Sequence, residues 1–531
     1  MTHVTRREFL TASAAAAIVA AAPAPAAAQT PRSGGTLRIK YLYDLRILDP
    51  IYTYSYVTRD FGYMIYDTLF ATDAQGQIRP QMVDRHTVSR DGLKYTFTLR
   101  DGLKFHDGQP VTAEDCVVSL TRWGKRDLLG KLMFAATGRL TATDRKTIAL
   151  DLKEPFGLVL EALGKPSSHV PFIMPSRLAS IPESEQLKEQ IGSGPYRFLK
   201  DEWRPGHQVV FAKNADYVPR AEPASGAAGG KRVHLDRVIW RTIPDAATAA
   251  AALQAGEVDF WQFPPLDFVP RLEKDPNLTV ITTDPLGSQG WIRFNHLHPP
   301  FSDRRARRAV FLATDQEAFL QGAVGHPRFY KTCGAYFMCG GQYEGGGGRA
   351  GAPDLDRARQ LVKESGYDGR PVVLLDPTDL PDLHGACLVA REQLGKIGFN
   401  VDLQPMEFMT LSARRAKREA PREGGWNMFL TKWISPDVSS PATNVGLSGA
   451  CERAYFGWYC NENMERLRGD WMRTTDPARR KQLAEQIQGI AAEDLPLVLW
   501  GQYQEPSVSR KNVRGHLPFP VPVHWNIWLD A

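Results

Sequence analysis

No internal stretch of the 531 residues approaches the ~20 apolar residues that a bilayer span needs, so the body of the chain is expected to be soluble. Charge of one sign is also scarce. The balance of 65 Lys and Arg against 59 Asp and Glu leaves a formal +6, far from the one-sided basic face of a nucleic-acid binder. Cysteine is sparse at 6 residues, which excludes a disulfide-dense scaffold. Glycine and proline are spread without a collagen-like period, and no repeat of 20–50 residues marks a solenoid or propeller. The motifs of common enzymes are missing too. Gly229-Gly230-Lys231 has Ser225 and Arg232 where a phosphate loop needs Gly and Ser or Thr. Gly192-Ser193-Gly194 runs into Pro195 rather than a helix, as a nucleophile elbow would not. His296 and His298 stand two apart without an HExxH, and no GxGxxG follows a strand. No catalytic residue, metal ligand or cofactor is therefore expected, and the chain is read as a non-enzyme.

What remains is ordinary globular material, 43% hydrophobic and 23% charged, in a length that suggests two to four domains at ~150 residues each. In front of it stands an address. Thr5-Arg6-Arg7-Glu8-Phe9-Leu10 is a twin-arginine pattern, an alanine-rich apolar run follows to Ala22, and Ala26-Ala27-Ala28 offers small residues for cleavage before Gln29. Residues 1–28 are read as an export signal and the mature protein as periplasmic. In that oxidising compartment Cys333 and Cys339, six apart, and Cys451 and Cys460, nine apart, are expected to form two local bridges. A zinc site is the weaker rival, because no CxxC is present and these pairs lack matching His partners. Cys116 and Cys387 lie among Val, Leu and Ala in helical contexts and read as small buried residues.

Tyr95, Phe97 and Leu99 alternate with polar residues between Asp91-Gly92 and Asp101-Gly102, which is a strand of a hairpin with one buried face. Thr112-Ala113-Glu114-Asp115 then opens a helix. Further on, a strand within Val233–Ile243, a helix over Ala246–Ala255 capped by Asp245 and stopped by Gly256, and Val258–Trp261 make a β-α-β unit. Val372–Leu375, a helix through Ala386 to Ile397, and Phe399–Leu403 make another. Their separation predicts two α/β lobes rather than one large sheet. Ser302 is expected to cap a helix whose four arginines, at 304, 305, 307 and 308, face solvent.

Gly34-Gly35-Thr36-Leu37-Arg38, Leu48-Asp49-Pro50, Tyr66-Asp67-Thr68-Leu69-Phe70 and Phe105-His106-Asp107-Gly108-Gln109-Pro110-Val111-Thr112-Ala113-Glu114-Asp115 follow in order. After them come Gly192-Ser193-Gly194-Pro195-Tyr196, Ala255-Gly256-Glu257-Val258-Asp259, Phe294-Asn295 with Pro299-Pro300-Phe301-Ser302-Asp303, and Asp494-Leu495-Pro496. Together these resemble the family 5 extracellular solute-binding proteins of ABC importers, which bind dipeptides, oligopeptides or nickel, over essentially the whole mature chain. The resemblance implies an α/β, periplasmic-binding-protein-like (type II) fold with two hinged lobes and an extra subdomain in the N-terminal half. Lobe I would comprise residues 34–54, 192–286 and 501–531, the extra subdomain 55–191, and lobe II 287–500. It also implies a monomer that captures a small-molecule or peptide ligand between its lobes and delivers it to permease subunits at the membrane.

Ligand contacts are expected where the chain enters or leaves the hinge. Tyr43, Tyr54 and Tyr56 follow the first strand and suit a half-wet cleft. Trp291, Arg293 and Asn295 stand by the crossing into lobe II, with Arg293 positioned to pair with a ligand carboxylate. Trp433 and Asp437 occupy the segment where peptide binders of the family present an acid to the ligand amine. The family's acid stands three residues after the Trp; this chain has Pro436 there and Asp437 one place later. Trp458, inside the Cys451–Cys460 loop, is expected to wall the site. Two alternatives stand beside the receptor: a secreted hydrolase on a related scaffold, and a nickel-chelate binder using His106, His296 or His326.

Overall fold

The computed structural model describes residues 30–167, 169–348 and 351–530; the expected export signal lies outside them. Two large sheets organise the rest. The first has the order Tyr196–Phe198, Gln208–Lys213, Arg237–Arg241, Thr36–Lys40, Phe260–Trp261, Ser507–Arg510, Leu278–Ile281. Asp245 caps the helix Ala246–Ala255 by accepting from the Thr248 N–H, and Gly256 ends it in the left-handed region, where glycine carries no Cβ penalty. Ala249, Ala250, Ala252 and Leu253 pack this helix on Trp261, Leu278 and Val508. The strands at its two ends are parallel, as their β-α-β reading requires, but Thr36–Lys40 is inserted between them and pairs with both.

The second sheet has the order Tyr330–Lys331, Leu497–Tyr503, Ser288–Phe294, Met428–Ile434, Val372–Pro377, Val401–Met406. Its β-α-β unit, Val372–Pro377, the helix Pro381–Lys396 and Val401–Met406, has adjacent parallel strands. Ser288–Phe294 is buried at every residue and bonded on both edges, the pattern of a strand covered on both faces. Leu497–Tyr503 pairs in this sheet as far as Tyr503, opposite Ser288. A lobe boundary at 500/501 would therefore cut a strand; the chain rejoins the first sheet only at Ser507.

A separate four-stranded antiparallel sheet, Val83–Val88, Lys94–Leu99, Thr147–Leu152 and Thr137–Ala142, lies between the first two passes through lobe I. Thr112 and Asp115 form a reciprocal capping box on its helix Ala113–Arg126. Two buried ion pairs seat this subdomain. Arg122 grips Asp49 with Nη2 at 2.7 Å from Oδ2. Lys231 lies 2.8 Å from Asp67, so the Gly-Gly-Lys sequence is a structural anchor.

The expected solvent face of the four-arginine helix needs correction. Asp303, not Ser302, caps Arg304–Ala313. Arg307 is buried and donates to the carbonyls of Asp494 and Phe301, while Arg308 donates to those of Ala492 and Glu493. Both side chains thus satisfy the carbonyl end of the helix Pro477–Asp494. Cys333–Cys339 and Cys451–Cys460 are disulfides, and Cys116 and Cys387 are buried free thiols. One apolar cluster runs from Leu37 and Ile39 through the subdomain to Trp291, Tyr336, Leu447 and Trp471. The lobes are shut on each other.

Candidate ligand cleft between the lobes

The chain crosses between the two sheets twice after Leu278–Ile281, through residues 282–287 and 504–506. The crossings touch: Gly287 has φ +70°, and a Cβ there would stand 2.1 Å from the Tyr503 carbonyl oxygen. Each is pinned by a carboxylate to the end of Met428–Ile434. Asp284 accepts from the Ser435 hydroxyl at 2.8 Å. Glu505 accepts from Ser288 Oγ at 2.7 Å and pairs with Lys432, which also reaches Asp382 at 2.7 Å. Burial works against the Lys432 charge, but Asp382 and Glu505 outweigh it and hold its protonation well above the ordinary lysine range. Tyr43 enters from lobe I and packs against the cores of both lobes. Burial pushes its hydroxyl up to about 12, opposed by Lys432 and reinforced by Asp382 and Glu505.

A second contact, between lobe II and residues of the expected extra subdomain, centres on Asp437. The Tyr56 hydroxyl donates to Asp437 Oδ2 at 2.8 Å, and Ser167 Oγ lies 3.1 Å from the same oxygen. The Arg59 guanidinium lies 4.4 Å from the Tyr56 ring centroid, donates to Ser167 at 2.7 Å and pairs with Asp60. Asp60 in turn accepts from Tyr41, whose ring stacks on Trp240 at 3.9 Å. Burial raises the Tyr56 hydroxyl well above its usual value, and the Asp437 charge adds to this. The phenol therefore stays a hydrogen-bond donor at any physiological pH. The arrangement can clamp a polar solute between a lobe II carboxylate and hydroxyl and guanidinium groups of the N-terminal half.

Of the residues expected to touch ligand, Tyr56 of the extra subdomain and Asp437 of lobe II are brought together, and Tyr43 lies beside the hinge. Tyr54 is exposed and lies over His169, with ring centroids 3.9 Å apart. Trp433 is half-buried, tilted against Trp291 at 5.5 Å and edge-on to Tyr455 at 5.6 Å. Four expectations need correction. Trp291 is fully buried behind Trp433, with its N–H on Gln289 Oε1. Arg293 is fully buried and donates to the carbonyls of Phe456, Gly446, Pro496 and Tyr455, so its fork is occupied by backbone rather than poised for a carboxylate. That burial lowers its pKa to about 10. Asn295 is buried and holds the Trp426 carbonyl and the Leu297 N–H. Trp458 packs on Trp426 and under Arg418, within a lobe II cluster that includes Val373 and Phe429.

Sequence reasoning missed Arg59, Asp60, Ser167, Lys432, Asp382 and Glu505. Two signals were available: the adjacent Arg59-Asp60 inside the apolar helix Tyr56–Ile65, and Lys432 in the buried strand Met428–Ile434. An ionisable group in such a setting needs a partner.

The chain matches the model of the bacterial extracellular solute-binding proteins, family 5, over residues 77–455. It belongs to that family. It is 36% identical over 535 residues, 99% of each chain, to a probable peptide ABC transporter periplasmic-binding protein of Sinorhizobium fredii. It is 25% identical over 537 residues, 98% of each chain, to a glutathione-binding protein of Salmonella typhi. A Helicobacter pylori ABC transporter-associated periplasmic binding protein, solved with the peptide STSA, superposes with a TM-score of 0.78 at 23% identity, covering 94% of this chain and 99% of that one. The fold is accordingly the two-lobed α/β architecture of type II periplasmic binding proteins.

Proposed function

We propose that this family 5 solute-binding protein is the periplasmic receptor of an ABC importer for a peptide or a similarly small polar organic solute. It acts as a monomer, exported through its twin-arginine signal and cleaved after Ala28, and presents its closed form to permease subunits at the membrane. The observation that carries the reading is the Asp437 contact, in which a lobe II carboxylate meets Tyr56 and Ser167 of the N-terminal half. Groups that meet only when the lobes shut can favour the closed form through a ligand they share. Shifting such an equilibrium from 1:99 to 99:1 takes about 5.5 kcal/mol of preferential binding. The peptide class is supported by the Sinorhizobium relative.

Native mass spectrometry of freshly purified protein should reveal a co-purified small solute. Di- and tripeptides, reduced glutathione among them, should raise the melting temperature without being consumed. At ~100-fold excess over Kd the stabilisation should be about 2.7 kcal/mol. Hydrolysed peptide in the mixture, or no stabilisation by any solute of this size, would overturn the reading.

A further inference from the structure

The loop that carries Ser167 to Asp437 also carries His169, two residues on. The His169 ring is 1% exposed, and neither nitrogen has a hydrogen-bond partner of ordinary geometry; the polar group facing it is the Thr53 carbonyl. Its neighbours are cations. Arg126 donates from Nη2 to the Tyr52 carbonyl at 3.0 Å, but its buried Nε–H has no partner. Lys131 is exposed beside it, and Lys165 is buried against Asp127 at 2.5 Å. Of these three cations acting on the His169 ring, only Lys165 is paired among the described residues, with Asp127, and the His169 nitrogens and the Arg126 Nε–H are left unmet. Each unmet group costs about 1–3 kcal/mol unless something satisfies it. Tyr54 covers the His169 ring, sets its hydroxyl 3.5 Å from the Arg126 carbonyl and is itself 55% exposed, so it is the one layer between this ring and solvent on that side.

We propose that Arg126, Lys131, Lys165 and His169 form an anion subsite of the cleft, closed by Tyr54, that takes the carboxylate of the captured solute. The subsite needs two things: a planar oxyanion able to accept from both the Arg126 Nε–H and an imidazole N–H, and a surplus of positive charge around it. Covalent geometry places the Cα atoms of Ser167 and His169 at most about 7 Å apart. A solute touching the Asp437 contact with one end therefore reaches the subsite with the other if it is about the length of a dipeptide. The identity of the anion as part of a transported solute rests on the receptor reading; the subsite itself does not.

The test reads His169 directly, in imidazole ¹⁵N spectra of the full mature protein, with its signal assigned by His169→Gln. Acetate is titrated against chloride at constant ionic strength, so that bulk screening does not change, and inorganic phosphate is run in parallel. Acetate should move the His169 signal along a saturating curve. Arg126→Gln should weaken that response about tenfold, and Lys131→Gln, on an exposed side chain whose loss leaves the melting temperature unchanged, by a few-fold. A His169 signal indifferent to acetate, equally responsive in Lys131→Gln and Arg126→Gln, or responsive to phosphate alone would overturn the proposal. Peptides that stabilise the protein while His169 stays silent would sink the subsite and leave the receptor standing. An acetate response without binding of any peptide would do the reverse.

Discussion

Four backbone carbonyls from three separate segments converge on the Arg293 guanidinium. Replacing it with alanine leaves those acceptors buried without donors, so Arg293→Ala should cost about 3–5 kcal/mol in urea unfolding. The molecules that remain folded should keep their solute affinity; a selective loss of affinity at unchanged stability would return Arg293 to the ligand site. His106 makes a pH-dependent contribution. Its Nδ1 accepts from the Gly192 N–H at 3.3 Å, its Nε2 faces the Gly194 carbonyl at 3.2 Å, and burial lowers its pKa to about 4. The native ring refuses a proton that the unfolded chain takes at about 6.5. Stability is therefore intact above about pH 6.5 and falls by up to about 1.4 kcal/mol per pH unit down to about pH 4. Urea midpoints across this range should show a slope, to which His169, His296, His516 and His524, also lowered by burial, contribute; His106→Gln should reduce it by up to about 1.4 kcal/mol per pH unit. At this scale the sequence told half the story. Tyr56 and Asp437 were readable as polar residues flanking the hinge. Arg293 was misread because a strand arginine beside a Trp looks the same whether it faces ligand or the distant carbonyls of residues 446, 455, 456 and 496.

Helices and strands were more legible than their neighbours. Asp245 and Gly256 mark both ends of Ala246–Ala255, and Thr112 with Asp115 marks the start of Ala113–Arg126. Insertion of Thr36–Lys40 between Arg237–Arg241 and Phe260–Trp261, far along the chain, was not legible, because nonlocal pairing rather than local pattern sets sheet order. The course of the second crossing was hidden for the same reason: Leu497–Tyr503 stays in its sheet because of its pairing with Ser288–Phe294. The two crossings yield a prediction of their own. Gly287 adopts a left-handed φ, against the Tyr503 carbonyl, and its own carbonyl accepts from the Ser435 N–H at 3.0 Å. Gly287→Ala adds a left-handed penalty of roughly 1–2 kcal/mol and forces the crossings apart. Small-angle scattering should show a more open ensemble, with solute affinity down about tenfold; unchanged scattering and affinity would mean that the crossings do not govern closure.

For the molecule as a whole, the order of short motifs carried the architecture further than any single residue did: some fall on strands, as Thr36-Leu37-Arg38 does, and others on caps, as Thr112 to Asp115 and Asp303 do. The covalent frame is directly checkable. Thiol titration of unreduced, denatured protein should find two reactive groups, Cys116 and Cys387; six would mean that neither bridge forms in solution. The bridge between Cys451 and Cys460 encloses Tyr455 and Phe456, which supply two of the four carbonyls around Arg293. Closing so short a loop restricts the unfolded chain by about 2–3 kcal/mol. The bridge thus narrows the positions that the Tyr455 and Phe456 carbonyls can take around the Arg293 guanidinium. A preparation kept in reductant would lose that restraint, so its second lobe should unfold at a lower urea concentration while the solute affinity of the folded molecules stays unchanged.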